Sequence, residues 1–501
     1  MIVGALVAVA MALPLGHLVL RALEADDALG TLGDARLVRS VVATLLLGAT
    51  VTGAAIALGF GLAWLLERTD LPARRVLGAL AGLPLVVPTY VAAVAFKDAF
   101  GPRGLIASVP GTVGFFGAAA ALTLSTYPYV LLLARASLAG ADPALEEAAR
   151  SLGDRRGRVL RRVTLPQVRP ALAAGGLLVF LYVLSDFGAV TILRYETITL
   201  RIFTEYRTSF DRAPAALMGL VLVALTLAAI AAERLARGRA TATRVVAGPR
   251  PPERRPLGPW KAPAVFGVVV VAFAGVGVPV AVLVYRTFIA ASRNVRPEVV
   301  GRAALVSMLL AGAAALLAVA LSVPVATLAV RFRSRFASGV ETMSGAGYAL
   351  PGLVIALALV FFAANYLPWL YQTVGLVIVA YVIRFFPEAL GAARSGLAAL
   401  DPAVEDAARS LGDAPRTAVR RVTIPLIRRS LVGGGLLVFL TSMKELPATL
   451  LLRPAGVDTL ATRVWTGAAE GRYAQAAPAA LVLVAISALA LTVLRNERTV
   501  P

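Results

Sequence analysis

Twelve stretches of mostly apolar residues run through the chain, each close to the about 20 residues that carry a helix across a bilayer. They lie at roughly 2–20, 40–66, 78–96, 113–133, 172–193, 214–232, 262–285, 303–330, 345–364, 373–392, 431–452 and 477–494. Composition agrees, with 59% hydrophobic and 15% charged residues over 501 positions, where a soluble chain carries about 25% charged residues. The first stretch has no basic leader and no small-residue cleavage site, so it reads as a retained helix rather than a signal peptide. The predicted fold class is an all-α integral membrane protein of about twelve transmembrane helices.

A net charge of +21 could point to nucleic acid, but the placement of the charge argues otherwise. Alternate connections between spans hold 31 Lys and Arg on one side and 16 on the other. The richer side is cytoplasmic by the positive-inside rule, which predicts both termini in the cytoplasm and no nucleic-acid partner. There is no cysteine and a single histidine, His17. Disulfides, thiolate metal sites, cysteine nucleophiles and paired imidazoles are therefore excluded, and His17 reads as a structural polar contact.

The chain repeats itself with an offset of 259 residues. Residues 142–154, from Asp142-Pro143-Ala144 to Leu152-Gly153-Asp154, return at 401–413, and Arg161-Arg162-Val163-Thr164 returns as Arg420-Arg421-Val422-Thr423. From 142 to 180, 24 of 39 positions are identical to their partners, and Pro88 matches Pro351 after a four-residue shift. An even number of spans per half makes the repeats parallel. The expected organisation is a first half at 1–235, a cytoplasmic linker at 236–261 and a second half at 262–501.

The most closely repeated segment is a loop. Asp142 is a good N-cap, Pro143 suits the first helical position and Gly153 can end the helix; Asp401, Pro402 and Gly412 repeat the pattern. A short helix of this kind could lie on lipid headgroups, but the repetition of cap, carboxylates and glycine suits a surface that meets two copies of one partner. Here the chain resembles the permeases of ABC importers, whose signature reads Glu-Ala-Ala, three residues, Gly, nine residues, an aliphatic residue, any residue, Leu-Pro. Glu147-Ala148-Ala149, Gly153, Val163 and Leu165-Pro166 fit it, as do Asp406-Ala407-Ala408, Gly412, Val422 and Ile424-Pro425 with Asp and Ile as replacements.

The resemblance covers essentially the whole chain and implies a fused double permease with the type I importer fold. It implies coupling loops at 141–171 and 400–430, whose helices seat on two copies of a cytoplasmic ABC ATPase. The coupling residues it marks are Glu146, Glu147, Ala148, Ala149, Gly153 and Asp154, with Glu405, Asp406, Ala407, Ala408, Gly412 and Asp413. A phosphate loop needs Gly-x4-Gly-Lys-Ser/Thr, and none of Lys97, Lys261 and Lys444 stands in one. No catalytic residue and no cofactor is expected in this chain, and ATP with Mg is expected to be used by the partner.

Asp186, Arg384, Glu388, Lys444 and Glu445 fall in or near spans, where charge marks a pathway or a buried pair. Asp186, Lys444 and Glu445 are candidates for a translocation path, because Gly188 and Pro447 favour helix breaks beside them. Alternatively, Arg384 neutralises Glu388 four residues on, and Lys444 pairs with a carboxylate. The stretches Leu184-Ser185-Asp186-Phe187-Gly188 and Met443-Lys444-Glu445-Leu446-Pro447 resemble the ferric-iron branch of these permeases. Fe(III) prefers oxygen ligands, which carboxylates and Tyr182, Tyr195 and Tyr206 could supply, although tyrosines are also common as interfacial belt residues.

The expected function is ATP-driven import of ferric iron, delivered by an external binding protein and moved by alternating access. Thiamine, polyamine or another small solute is an alternative cargo, and an ion-coupled secondary transporter is the alternative from another class.

Overall fold

The computed structural model describes residues 2–24, 27–209, 211–237, 254–292, 297–332, 334–345, 347 and 350–499. Most of the expected linker, residues 238–253, and Phe210 lie outside the described residues. Within them the secondary structure is helical, apart from one isolated bridge between Thr69 and Arg255. Helices satisfy every backbone donor and acceptor internally, which hydrocarbon demands.

Among the described residues ten helices are long and apolar enough to cross a membrane, eleven if a bent pair is counted as one span, beside the about twelve expected. The two exceptions are the third span of each half. In the first half, Arg74–Val86 and Thr89–Phe100 meet at an angle of 94°. In the second, the apolar helix Gly352–Tyr366 is only 15 residues long. Proline stands at the start of both short helices, Pro88 with ψ 144 and Pro351 with ψ 141. Each proline holds the residue before it out of the helical region, so the preceding helix cannot run through. A hydropathy window sums side chains without regard to direction, and so it cannot register the bend.

Packing divides the chain into two compact units that cut across the halves of the repeat. One comprises Gly33–Arg201 and Ala224–Arg286; the other comprises Met1–Leu32, Ile202–Val223 and Thr287–Pro501. The helix Ile2–Leu23 thus packs on Gly352–Tyr366 and Arg335–Gly345 of the second half. Reciprocally, Lys261–Ala272 packs on Arg74–Gly82 of the first, and Arg286 Nε donates to Asp98 Oδ2 at 2.7 Å.

Each unit has its own three-helix centre. In one, Ala35–Arg68, Phe115–Ala139 and Leu165–Ser185 pack together; in the other, Pro297–Arg331, Val374–Ala398 and Ile424–Met443 do. The repeated Gly-Gly pair explains part of the match. A Cβ on Gly175 would meet the Val130 backbone at 3.0 Å, and one on Gly434 would meet the side chain of Ala392 and the backbone of Ala389, the repeat equivalent of Val130. Small residues of this kind let helices cross closely where lipid offers no hydrophobic drive.

Candidate functional site

The two expected coupling helices form as Pro143–Ser151 and Pro402–Ser410. Asp142 Oδ1 accepts from Ala144 N and Asp401 Oδ1 from Ala403 N, both at 2.9 Å. Gly153 takes φ +87 and Gly412 φ +99, a left-handed turn. Gly153 N donates to Arg150 O and Asp154 N to Ala149 O, and Gly412 and Asp413 repeat the pair of bonds. This double bond closes the last carbonyls of a helix, and glycine accepts the required φ without a Cβ penalty.

Glu146 is buried and turned inward. Its Oε1 accepts from Thr164 Oγ1 at 2.7 Å and lies 3.2 Å from Arg68 Nη2, at the end of the helix Ala35–Arg68. Glu405 is held in the same way, by Thr423 at 2.7 Å and by Arg331 at 3.4 Å. These carboxylates fasten the coupling helices to their own units. Asp154 and Asp413 also pair locally, with Arg158 at 3.0 Å and Arg421 at 3.5 Å.

The outer faces carry Glu147 and Asp406, both exposed, beside exposed Ala148 and Ala407, while Ala149 and Ala408 are half-buried. Leu152 is 87% exposed and Leu411 89%, with Leu145 and Val404 exposed on the same helices. An apolar side chain this open on a rigid, capped helix is one that a partner can cover.

Sequence reasoning missed the inner anchors, although signals existed. Arg68 and Arg331 share the 263-residue shift that relates Pro88 to Pro351, and Thr164 and Thr423 close the repeated Arg-Arg-Val-Thr. A π-turn brings each threonine to its glutamate: Leu165 N bonds Leu160 O, and Ile424 N bonds Val419 O. Pro166 and Pro425 lack the next N–H, which favours this wider turn.

The second site candidate consists of charges at two helix breaks. Leu165–Ser185 ends at Asp186, which is extended at ψ 128, and Ile424–Met443 ends at Lys444. Spans 172–193 and 431–452 are therefore each interrupted. Asp186 caps the next short helix, accepting from Ala189 N at 2.9 Å and Val190 N at 3.3 Å, and from Thr89 Oγ1 at 2.7 Å. Glu445 accepts from Ala448 N at 3.1 Å in the same manner.

Here the halves diverge. Arg384 Nε lies 3.2 Å from Glu445 Oε2, so its partner is Glu445 and not the expected Glu388. Glu388 instead accepts from Thr441 Oγ1 at 3.0 Å. Gly352 permits this, because a Cβ there would collide with the Arg384 guanidinium. The repeat equivalents of Gly352 and Arg384 are Thr89 and Ser125, so a hydroxyl serves where the second half uses a cation. Lys444 sits at the break beside Glu445, its N donating to Thr441 O at 3.2 Å.

Of the tyrosines, Tyr195 OH donates to Ala43 O at 3.2 Å, Tyr182 OH lies 3.3 Å from Thr89 Oγ1 and Tyr206 stacks under Arg212. His17 packs edge-on against Phe362 and Tyr366, a structural contact.

A duplicated bundle of membrane-spanning helices, each core carrying a capped helix on a connecting loop, defines the class of a duplicated membrane permease. Residues 32–240 and 318–496 match the family of the binding-protein-dependent transport system inner membrane component, and the chain belongs to that family. It is a multi-pass inner-membrane protein and a fused double permease. The matched segments leave out Ile2–Leu23 and Lys261–Ala272, the two helices described above as packing on the other half.

The chain is 34% identical to the Fe(3+)-transport system permease protein FbpB 2 of Haemophilus influenzae, covering 98% of this chain and 96% of that protein. It is 37% identical to a probable molybdenum ABC transporter permease protein of Haloferax volcanii, over 44% of this chain and 82% of that one. It is 33% identical to the sulfate transport system permease protein CysT of Salmonella typhimurium, over 34% of this chain and 65% of that one.

Proposed function

We propose that this chain is the membrane-spanning subunit of an ATP-driven importer of ferric iron. An external binding protein delivers the cargo. Two ATPase subunits seat on the outer faces of Pro143–Ser151 and Pro402–Ser410, where ATP and Mg are used; this chain binds neither. Both termini face the cytoplasm, following the excess of Lys and Arg on that side. The observation that carries the reading is the equal construction of the two coupling helices. Each is pinned inward by a glutamate, buried at Glu146 and half-buried at Glu405, and presents an acidic residue and an open leucine outward. The full-length likeness to a ferric-iron permease supports the choice of cargo. Asp186 and Glu445 line the route in their respective halves.

A second cargo, a tetrahedral oxyanion, is favoured by the presence of Arg384 and Lys444 at one helix break and by the molybdenum and sulfate relatives. Reconstitution in proteoliposomes with the cognate ATPase and binding protein tests both. Iron uptake that requires ATP supports the proposal, and uptake of sulfate or molybdate alone reassigns the cargo. Uptake without ATPase, driven by an ion gradient, would make the chain a secondary transporter.

A further inference from the structure

The segment after residues 238–253 is stitched to the end of the helix Ala35–Arg68. Arg255 N donates to Arg68 O and Asp70 N to Arg255 O, both at 3.0 Å, and the Arg255 guanidinium lies 5.2 Å from the centre of the Trp64 ring. Asp70 takes Leu257 N at 2.8 Å and Lys261 Nζ at 2.7 Å. The hydrogen bond from Lys261, and then the Leu257 amide, hold the Asp70 carboxyl below the usual carboxylate range. Asp70 is therefore ionised and already committed to this clasp.

Beside the clasp is a cavity of about 470 Å³, whose lining includes Asp70, Ala73, Arg74, Arg75, Val76 and Arg254. Among the described residues no carboxylate pairs with Arg74, Arg75 or Arg254. Three arginines thus line a concave space whose one acid is engaged by a lysine. Ala73 adds to this: it sits at φ 47 without a side-chain cap, leaving the first amides of Arg74–Gly82 open at the cavity wall. Left-handed residues at a helix start form an anion-attracting concavity.

The rim is apolar. Val76 is 59% exposed, and Trp260 and Phe266 are open on the neighbouring segment, whose helix Lys261–Ala272 packs against Arg74–Gly82. Tryptophan at a helix end is a hallmark of the membrane interface.

We infer that this cavity binds the phosphate diester of an anionic phospholipid, held by Arg74, Arg75 and Arg254 with its acyl chains over Val76 and Trp260. Basic pockets between membrane helices take such headgroups in general. The bound lipid would brace the clasp next to Arg68, and Arg68 holds Glu146 of the first coupling helix.

The test uses the full chain in mild detergent, titrated with phosphatidylglycerol, phosphatidylcholine or inorganic phosphate, with bound species counted by native mass spectrometry. The combined variant Arg74→Gln, Arg75→Gln, Arg254→Gln should lose affinity for phosphatidylglycerol by about a hundredfold. Lysine at all three positions should keep most of it, and phosphatidylcholine binding should hardly change. A control at the same end of the unit, Arg161→Gln, Arg162→Gln, Arg169→Gln, should leave phosphatidylglycerol binding near the unmodified level. An unchanged affinity in the cavity variant, or an equal loss in the control, overturns the proposal. Inorganic phosphate that binds as tightly as the lipid and displaces it makes this a free-phosphate site and overturns the lipid assignment.

Discussion

At the position of Gly352 the two halves trade a side chain for a space. Thr89 gives Asp186 a hydroxyl in one half; in the other the space admits Arg384, which neutralises Glu445. Replacing Gly352 with Thr should therefore drive Arg384 off and leave Glu445 buried without its cation, at a cost of about 3–5 kcal/mol. The combined Gly352→Thr, Arg384→Ser, Glu445→Asp variant copies the Thr89–Ser125–Asp186 arrangement and should recover most of the lost stability. Thermal unfolding reads both, and a Gly352→Thr chain as stable as the parent would sink the account. The same residues report on cargo. With Asp186→Asn and Glu445→Gln, iron uptake should fall if the carboxylates line the route. Intact uptake with lower stability would make them purely structural. The partner of Arg384 was illegible in the sequence, since spacing favours Glu388 four residues away and only the fold brings Glu445 and Gly352 to the same point.

Among the elements, the coupling helices were the most legible, because caps and terminators act within a few residues of the groups they satisfy. Asp142, Pro143 and Gly153 mark their helix almost to the residue. Valine at Gly153 and Gly412 would have to adopt φ +87 and φ +99, and the left-handed region costs a branched side chain at least about 1–2 kcal/mol. The double variant should insert normally and lose transport, and normal uptake would refute the role of these turns. Reversing the charge at Glu147 and Asp406 should weaken ATPase association in a salt-sensitive way, since exposed charges are screened. Association unchanged at low salt would make these helices membrane anchors. Glu146→Gln should act differently: it loosens the seat on Arg68 and Thr164 and lowers stability even without the ATPase. The broken third spans were less legible. Pro88 and Pro351 are plain in the sequence, but a 94° turn is a direction, and hydropathy has none.

For the whole molecule, the repeat at 259 residues foretold two similar cores, and the structure has them. It did not foretell that Ile2–Leu23 and Lys261–Ala272 leave their own halves, because a contact across hundreds of residues leaves no local trace. The exchange makes each half incomplete alone. Expressed separately, residues 1–237 and 254–501 should each be degraded, and co-expression should restore a stable complex, read by co-purification. A stable, monodisperse single half would contradict the exchange.

The exchange also sets a schedule for synthesis. Ile2–Leu23 leaves the ribosome well before Gly352–Tyr366, on which it packs and which follows about 330 residues later. At about 5–20 residues per second the delay is roughly 15–65 s. Throughout that interval His17 waits in the bilayer without Phe362 and Tyr366, so this helix is made long before the surface that receives it.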